Sequence, residues 1–172
     1  NTMPFTYARP ETESVIWGNI NRGVALRYAV EYRWEFEHSE NIELVHREPS
    51  ALSGSLTDVK NIALTVTYRL LNGSTAETVK ARLIATSAGT SVDSEVRIDV
   101  IDHQDPLSDT PLEALEVDRK IAIEKGLYRL YLTQGSNGGW STEDGTHAPT
   151  GSALWAFHNS GHISSNHPDE DI

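Results

Sequence analysis

Three aspartates, Asp102, Asp105 and Asp109, are the residues whose type and spacing best suit a metal ion. Calcium takes roughly six to eight oxygen ligands, and an Asp-rich loop can wrap carboxylates and carbonyls around one ion. Asp99 precedes the run but falls inside an alternating strand pattern. The run lacks the glycine of a tight calcium loop and does not match the EF-hand spacing. The competing reading is a solvated acidic loop whose carboxylates make turns, as Asp105 does before Pro106. Calcium is therefore the one cofactor that the residues suggest.

A second constellation surrounds Trp140. Gln134–Gly151 reads as a long loop rich in Gly, Ser and Thr, and it carries Trp140, Glu143, Asp144 and His147. An indole beside carboxylates and an imidazole suits the face of a sugar or the hot spot of a protein partner. The alternative is an indole folded back as a plug over the end of the domain. His158, His162 and His167, with His147 as a further candidate, invite a zinc reading, since catalytic zinc often takes three imidazoles. No HExxH occurs, however, and adventitious binding accounts for them better.

Other chemistries fare worse. There is no GxSxG elbow and no cysteine nucleophile. Asp102 and His103 are adjacent, and neighbours in extended chain point to opposite faces. Glu31, Glu35 and Glu37 share a strand face on which residues i and i+2 lie about 7 Å apart, near a glycosidase separation, but Arg33 among them favours a solvated ion-pair ladder. The run Gly135-Ser-Asn-Gly138-Gly139 lacks the ending of a phosphate-binding loop.

The elements that would position these groups are mainly strands. From Val24 to Phe36 apolar and polar residues alternate without a break, which predicts a long strand with one buried face. Ile42–His46 predicts a second strand, and Pro49–Ser55 a loop. Ile62–Leu70, Val79–Ala85 and Val92–Val100 alternate in turn, joined by Asn72-Gly73 and by Ser87–Ser91. They read as an antiparallel meander. Thr110-Pro111-Leu112-Glu113 has the form of a helix start, with Thr110 as cap, for a helix of about two turns near 110–117. Ile121–Ile123, Leu127–Leu132 and Ala153–His158 read as short late strands.

These elements predict an all-β protein, an antiparallel β-sandwich of about seven or eight strands, with a jelly roll as the near alternative. The expected organisation is a polar N-terminal arm over 1–14, one sandwich domain over 15–158, and a flexible acidic tail over 159–172. At 172 residues one domain is the usual size.

Composition then limits the partners. Twenty-five acids against 14 bases give a net charge of −11, with Lys and Arg scattered. That argues against nucleic acid and against anionic lipid surfaces. No apolar run reaches the roughly 20 residues that span a bilayer, and the first ten residues lack a signal-peptide layout. The absence of cysteine fits a secreted or a cytoplasmic protein equally.

The reading that follows is a non-enzymatic binding module, recognising a protein or carbohydrate through the loop 134–151. Three alternatives stand beside it: an acidic inhibitor or immunity-type protein for a cationic partner, a metal-dependent hydrolase assembled from distant loops, and a membrane-active protein using the hairpin Ile62–Ala85.

Overall fold

The computed structural model describes residues 5–18, 30–49, 51–56, 62–103, 111–134, 139–140 and 147–159. Eight strands and two helices follow one another among them. These are β1 (Phe5–Ala8), β2 (Glu13–Gly18), β3 (Val30–His38), β4 (Ile42–Glu48), β5 (Ser53–Leu56), β6 (Ile62–Leu70), β7 (Ala76–Ser87) and β8 (Thr90–Ile101). Then come α1 (Pro111–Thr133) and α2 (His147–Asn159).

The strands form two sheets, one in the order β1-β8-β7-β3-β5 and the other β2-β6-β4. The protein is an all-β sandwich, as the alternation demanded. Ile62, Leu64, Val66 and Tyr68 of β6 face Val79, Ala81 and Leu83 of β7 and Val96, Ile98 and Val100 of β8 in one buried cluster. Each such aliphatic side chain contributes about 1.5–3 kcal/mol when fully buried, so the two inner faces hold the sheets together.

All pairings are antiparallel except one. β1 runs parallel to β8, with Phe5 opposite Arg97 and Ala8 opposite Val100. Residues 5–8, expected in a polar arm, are thus the edge strand of the larger sheet. The chain then crosses to the other sheet through Arg9–Thr12, where Glu11 adopts a φ of 54° and its amide donates to the Tyr68 carbonyl at 2.7 Å.

The meander is only half present. β7 and β8 form a hairpin closed by Ala88-Gly89, both at positive φ, the geometry of a two-residue turn that follows strand twist. Asn72-Gly73 is also at positive φ, yet it joins β6 to β7 across the two sheets rather than within one. The Leu71 amide and the Asn72 side chain bond to Asn41, which ties this crossing to the β3–β4 turn. Ile62–Ala85 is therefore no hairpin, and the membrane-active reading loses its element.

β5 was expected as loop. Ser53-Gly54-Ser55 pairs with β3, and Tyr32 lies over Gly54, where a Cβ would meet its ring at 2.8–3.0 Å. A glycine is what lets this aromatic sit down on the neighbouring strand. The early part of the predicted long strand, Val24–Ala29, lies outside the described residues.

The largest difference is helical. The two-turn helix near 110–117 continues for 23 residues to Thr133, and Ala153–His158 is helix rather than strand. Val117, Ile121, Glu124, Leu127, Tyr128 and Tyr131 recur at three- and four-residue steps along the inner side of α1, a helical period. In α2, Ala153 and Phe157 do the same. Trp17 meets Tyr131 and Tyr128 of α1 with ring centroids 4.9 and 5.9 Å apart. Lys120 sits 5.1 Å above the Tyr7 ring. The helical pair thus closes the side of the sandwich bounded by β1 and β2.

Candidate functional site

The expected metal run does not assemble among the described residues. Asp102 directly follows β8, its amide donating to the Thr75 carbonyl at 2.8 Å, while Asp105 and Asp109 lie outside the described residues. Asp99 is occupied, taking hydrogen bonds from Thr78 at 2.8 Å and from Arg97 at 2.9 and 3.1 Å. No group of three or more His, Asp or Glu side chains among the described residues is placed to hold an ion. His158 stands on the last turn of α2, and His162 and His167 are outside the described residues.

The carboxylates of β3 form the ladder that Arg33 suggested. Arg33 binds Glu35 at 2.9 Å, Lys80 lies 3.7 Å from Glu37, and Arg82 binds Asp93 at 2.9 Å, all on the wet face. Such exposed pairs hold little energy.

Trp140 is packed inward rather than open to solvent. It is 6 % exposed. Its indole N–H donates to the Leu130 carbonyl at 2.7 Å, its amide donates to Thr150 Oγ1 at 2.9 Å, and the Thr150 hydroxyl donates back to the Trp140 carbonyl at 3.1 Å. Its ring lies 6.0 Å from Phe157. These bonds clip α1 to α2, so the folded-back alternative describes this residue. Glu143 and Asp144 lie outside the described residues. His147 opens α2, but its side chain lies outside them as well.

The exposed indole belongs instead to Trp155, which is 70 % exposed. In a strand, Trp155 would alternate inward with Ala153 and Phe157. In the helix it stands opposite them, on a stripe with Gly151, Leu154 and His158 at one, three and four residue steps. Leu115, Ile123 and Leu132 of α1 are also exposed. The signal for this was available in the spacing of Ala153 and Phe157, read with a period of four.

Two hollows remain. A cavity of about 20 Å³ between α1 and the sandwich includes Tyr68, Tyr128 and Glu124. That is room for about one water, too small for any ligand. The other is an open cleft of about 750 Å³ between the sheets at their β3 and β4 side. Trp34, Phe36, Ile42, Leu44 and Leu52 form its apolar wall, with Arg47, Glu35 and Glu43 at its rim. Arg47 reaches this position through a bulge: the β4–β6 register shifts between Leu44 and His46, so that Arg47 rather than His46 stands opposite the inward-facing Val66. A bulge re-aims every later side chain of its strand.

No protein-family model matches the chain, and no curated protein matches it. Solved structures resemble part of it. The periplasmic chaperone SfaE is 11 % identical with a TM-score of 0.45, covering 62 % of this chain and 59 % of its own. The CsuC–CsuE chaperone–tip adhesion subunit complex from archaic chaperone-usher Csu pili of Acinetobacter baumannii is 6 % identical with a TM-score of 0.43, covering 59 % and 51 %. The VesB protease of Vibrio cholerae is 10 % identical with a TM-score of 0.41, covering 59 % and 31 %. The chain thus spans less than two thirds of each of these chains. At such scores the likeness transfers neither a function nor a partner. No helix among the described residues is long and apolar enough to cross a membrane.

Proposed function

We propose that the protein is a non-enzymatic interaction module whose contact surface is the outer face of α2, centred on Trp155 and Leu154, and whose partner is a protein. The observation that carries this reading is the 70 % exposure of Trp155. A large aromatic left in water forgoes about 2–3 kcal/mol of burial, and exposed aromatics beside aliphatics are the usual anchors of protein interfaces. The helix presenting it is fixed to the sandwich through Trp140 and α1, so the anchor is held in place before binding. Trp140 contributes by bonding to both helices, through the Leu130 carbonyl of α1 and the Thr150 hydroxyl of α2. A carbohydrate is the second reading, because the same open ring suits a sugar face.

Matched affinity capture from the source cells with wild type and the double variant Leu154→Ser/Trp155→Ser tests this. A partner retained by wild type at high salt and lost by a variant with unchanged circular dichroism supports an apolar protein interface. Equal retention by both proteins overturns it. Glycan-array binding that depends on Trp155 replaces the protein partner with a sugar.

A further inference from the structure

The strand β1 is four residues long, and its partner β8 is the last of the described strands. It is held by the backbone pairing of Phe5–Ala8 with Arg97–Val100 and by Lys120 over the Tyr7 ring. Arg9, directly after it, bonds to Ile101, Ala114 and Asp118. None of these contacts depends on whether Phe5–Arg9 is covalently joined to the molecule that it completes. A second copy of the chain presents the same groups in the same order.

The connection to β2 is what distinguishes the two cases. Pro10 and Glu11 turn the chain from one sheet to the other, with Glu11 at a φ of 54°. After a proline, that is a turn position which ordinarily takes Gly or Asn, because a Cβ at positive φ crowds the backbone. Two contacts keep the turn closed. The Glu11 amide donates to the Tyr68 carbonyl, and Arg69 pairs with the Glu11 carboxylate at 2.7 Å. The ion pair is exposed and adds little. Proline is at home in extended chain and biases the residue before it the same way. The segment is therefore strained when folded back on its own molecule and relaxed when drawn out toward another. Short hinges under strain favour the exchange of identical elements.

We propose that two copies of this chain exchange β1, each laying Phe5–Arg9 on the β8 edge and against α1 of the other. Arg9 selects this occupant. A foreign strand could reproduce the backbone pairing, but the junction of Ile101, Ala114 and Asp118 takes a guanidinium one residue beyond Ala8. A second copy supplies it at that place. Every bond of β1 is recreated in the pair and only the hinge changes, so concentration draws the exchange forward.

The chain has no cysteine, so introduced thiols report the exchange. Phe5 stands opposite Arg97, and neighbouring strands about 4.8 Å apart are within disulfide reach. Full-length Phe5→Cys and Arg97→Cys chains are mixed, concentrated and oxidised, and light scattering and non-reducing electrophoresis follow the dimer. The expected result is a dimer that rises with concentration and carries a disulfide between the two kinds of chain. Placing both substitutions in one chain and oxidising it while dilute locks β1 onto its own sheet; this protein stays monomeric. Glu11→Gly relieves the turn and should weaken dimer formation about tenfold. Because Gly tolerates this φ, the fold is retained, and an undiminished melting temperature checks it. A wild-type chain that is monomeric at millimolar concentration, or a dimer that survives the lock, overturns the proposal. A dimer abolished by Leu154→Ser/Trp155→Ser also overturns it, because the copies would then meet through α2.

Discussion

The Arg9 guanidinium, 5 % exposed, donates from Nε to Asp118 Oδ1 at 2.9 Å across 109 residues of chain. The same group donates to the Ile101 carbonyl at 3.0 Å and to the Ala114 carbonyl at 3.3 Å. One side chain thus joins the end of β1, the end of β8 and the first turns of α1. It satisfies helix and strand carbonyls while its own charge is met by a carboxylate.

That arrangement is asymmetric under mutation. Arg9→Ala removes three bonds from a buried junction, so urea denaturation should show a loss of about 2–3 kcal/mol. Asp118 is half exposed, so Asp118→Asn should cost under about 1 kcal/mol. Equal losses would mean that the ion pair, rather than the carbonyl contacts, holds α1 in place.

Tyr68 gives a pH signature. Its hydroxyl is buried without a partner, and burial pushes its ionisation above the ordinary value of 10.0. The unfolded phenol releases its proton near pH 10 while the native one retains it. Stability is therefore whole below pH 10 and declines as pH rises beyond it. Tyr68→Phe should add about 1 kcal/mol at neutral pH and flatten this decline, as measured by denaturant midpoints at pH 7, 10 and 11.

The contact of Tyr32 with Gly54 predicts a coupling. Gly54→Ala should cost about 1–2 kcal/mol, because the new methyl displaces the ring. In a Tyr32→Ala background the same change should be near neutral. A double-mutant cycle reads the difference, and additivity would show that the strain lies elsewhere.

Gly126 offers a gain instead. It sits on the exposed side of α1, with open space where a Cβ would project. Gly126→Ala should stabilise by about 0.5–1 kcal/mol through helix propensity alone. A lower melting temperature would count against a continuous helix at this point.

Trp140 separates structure from recognition. Trp140→Ala should cost about 3–5 kcal/mol and reduce the helical circular dichroism, whereas Trp155→Ala should change stability by under about 0.5 kcal/mol. The reverse pattern would return the ligand-binding role to Trp140.

The strands were legible because each inner face repeats with a period of two. Val30–Phe36 and Ile62–Leu70 carry that period in their own residues, and it names the buried side correctly. Which sheet a strand joins is a different matter. Asn72-Gly73 marks a turn equally well within a sheet and between sheets, and only the partners of β6 and β7 decide. The helices were misread for a local reason. Glu124 interrupts the apolar side of α1 and Lys125-Gly126 has the form of a turn, so Ile121–Ile123 and Leu127–Leu132 look like separate strands. The packing of Trp17 on Tyr128 and Tyr131, far away in sequence, overrides those breaks. Arg47 was illegible, because a bulge leaves no mark on residue types.

The parallel pairing of β1 with β8 sets a timetable for synthesis. β1 leaves the ribosome well before its hydrogen-bonding partner at Arg97–Val100, and Arg9 waits longer still for Asp118. Closing so wide a loop is costly before its contacts form, and folds rich in distant pairings acquire them late. The β7–β8 hairpin can form alone, but the sheet edge it offers remains open until the N-terminal segment returns to cover it. A nascent chain of this protein therefore passes through a stage with a bare edge, when capture by a neighbouring chain competes with completion of its own sheet.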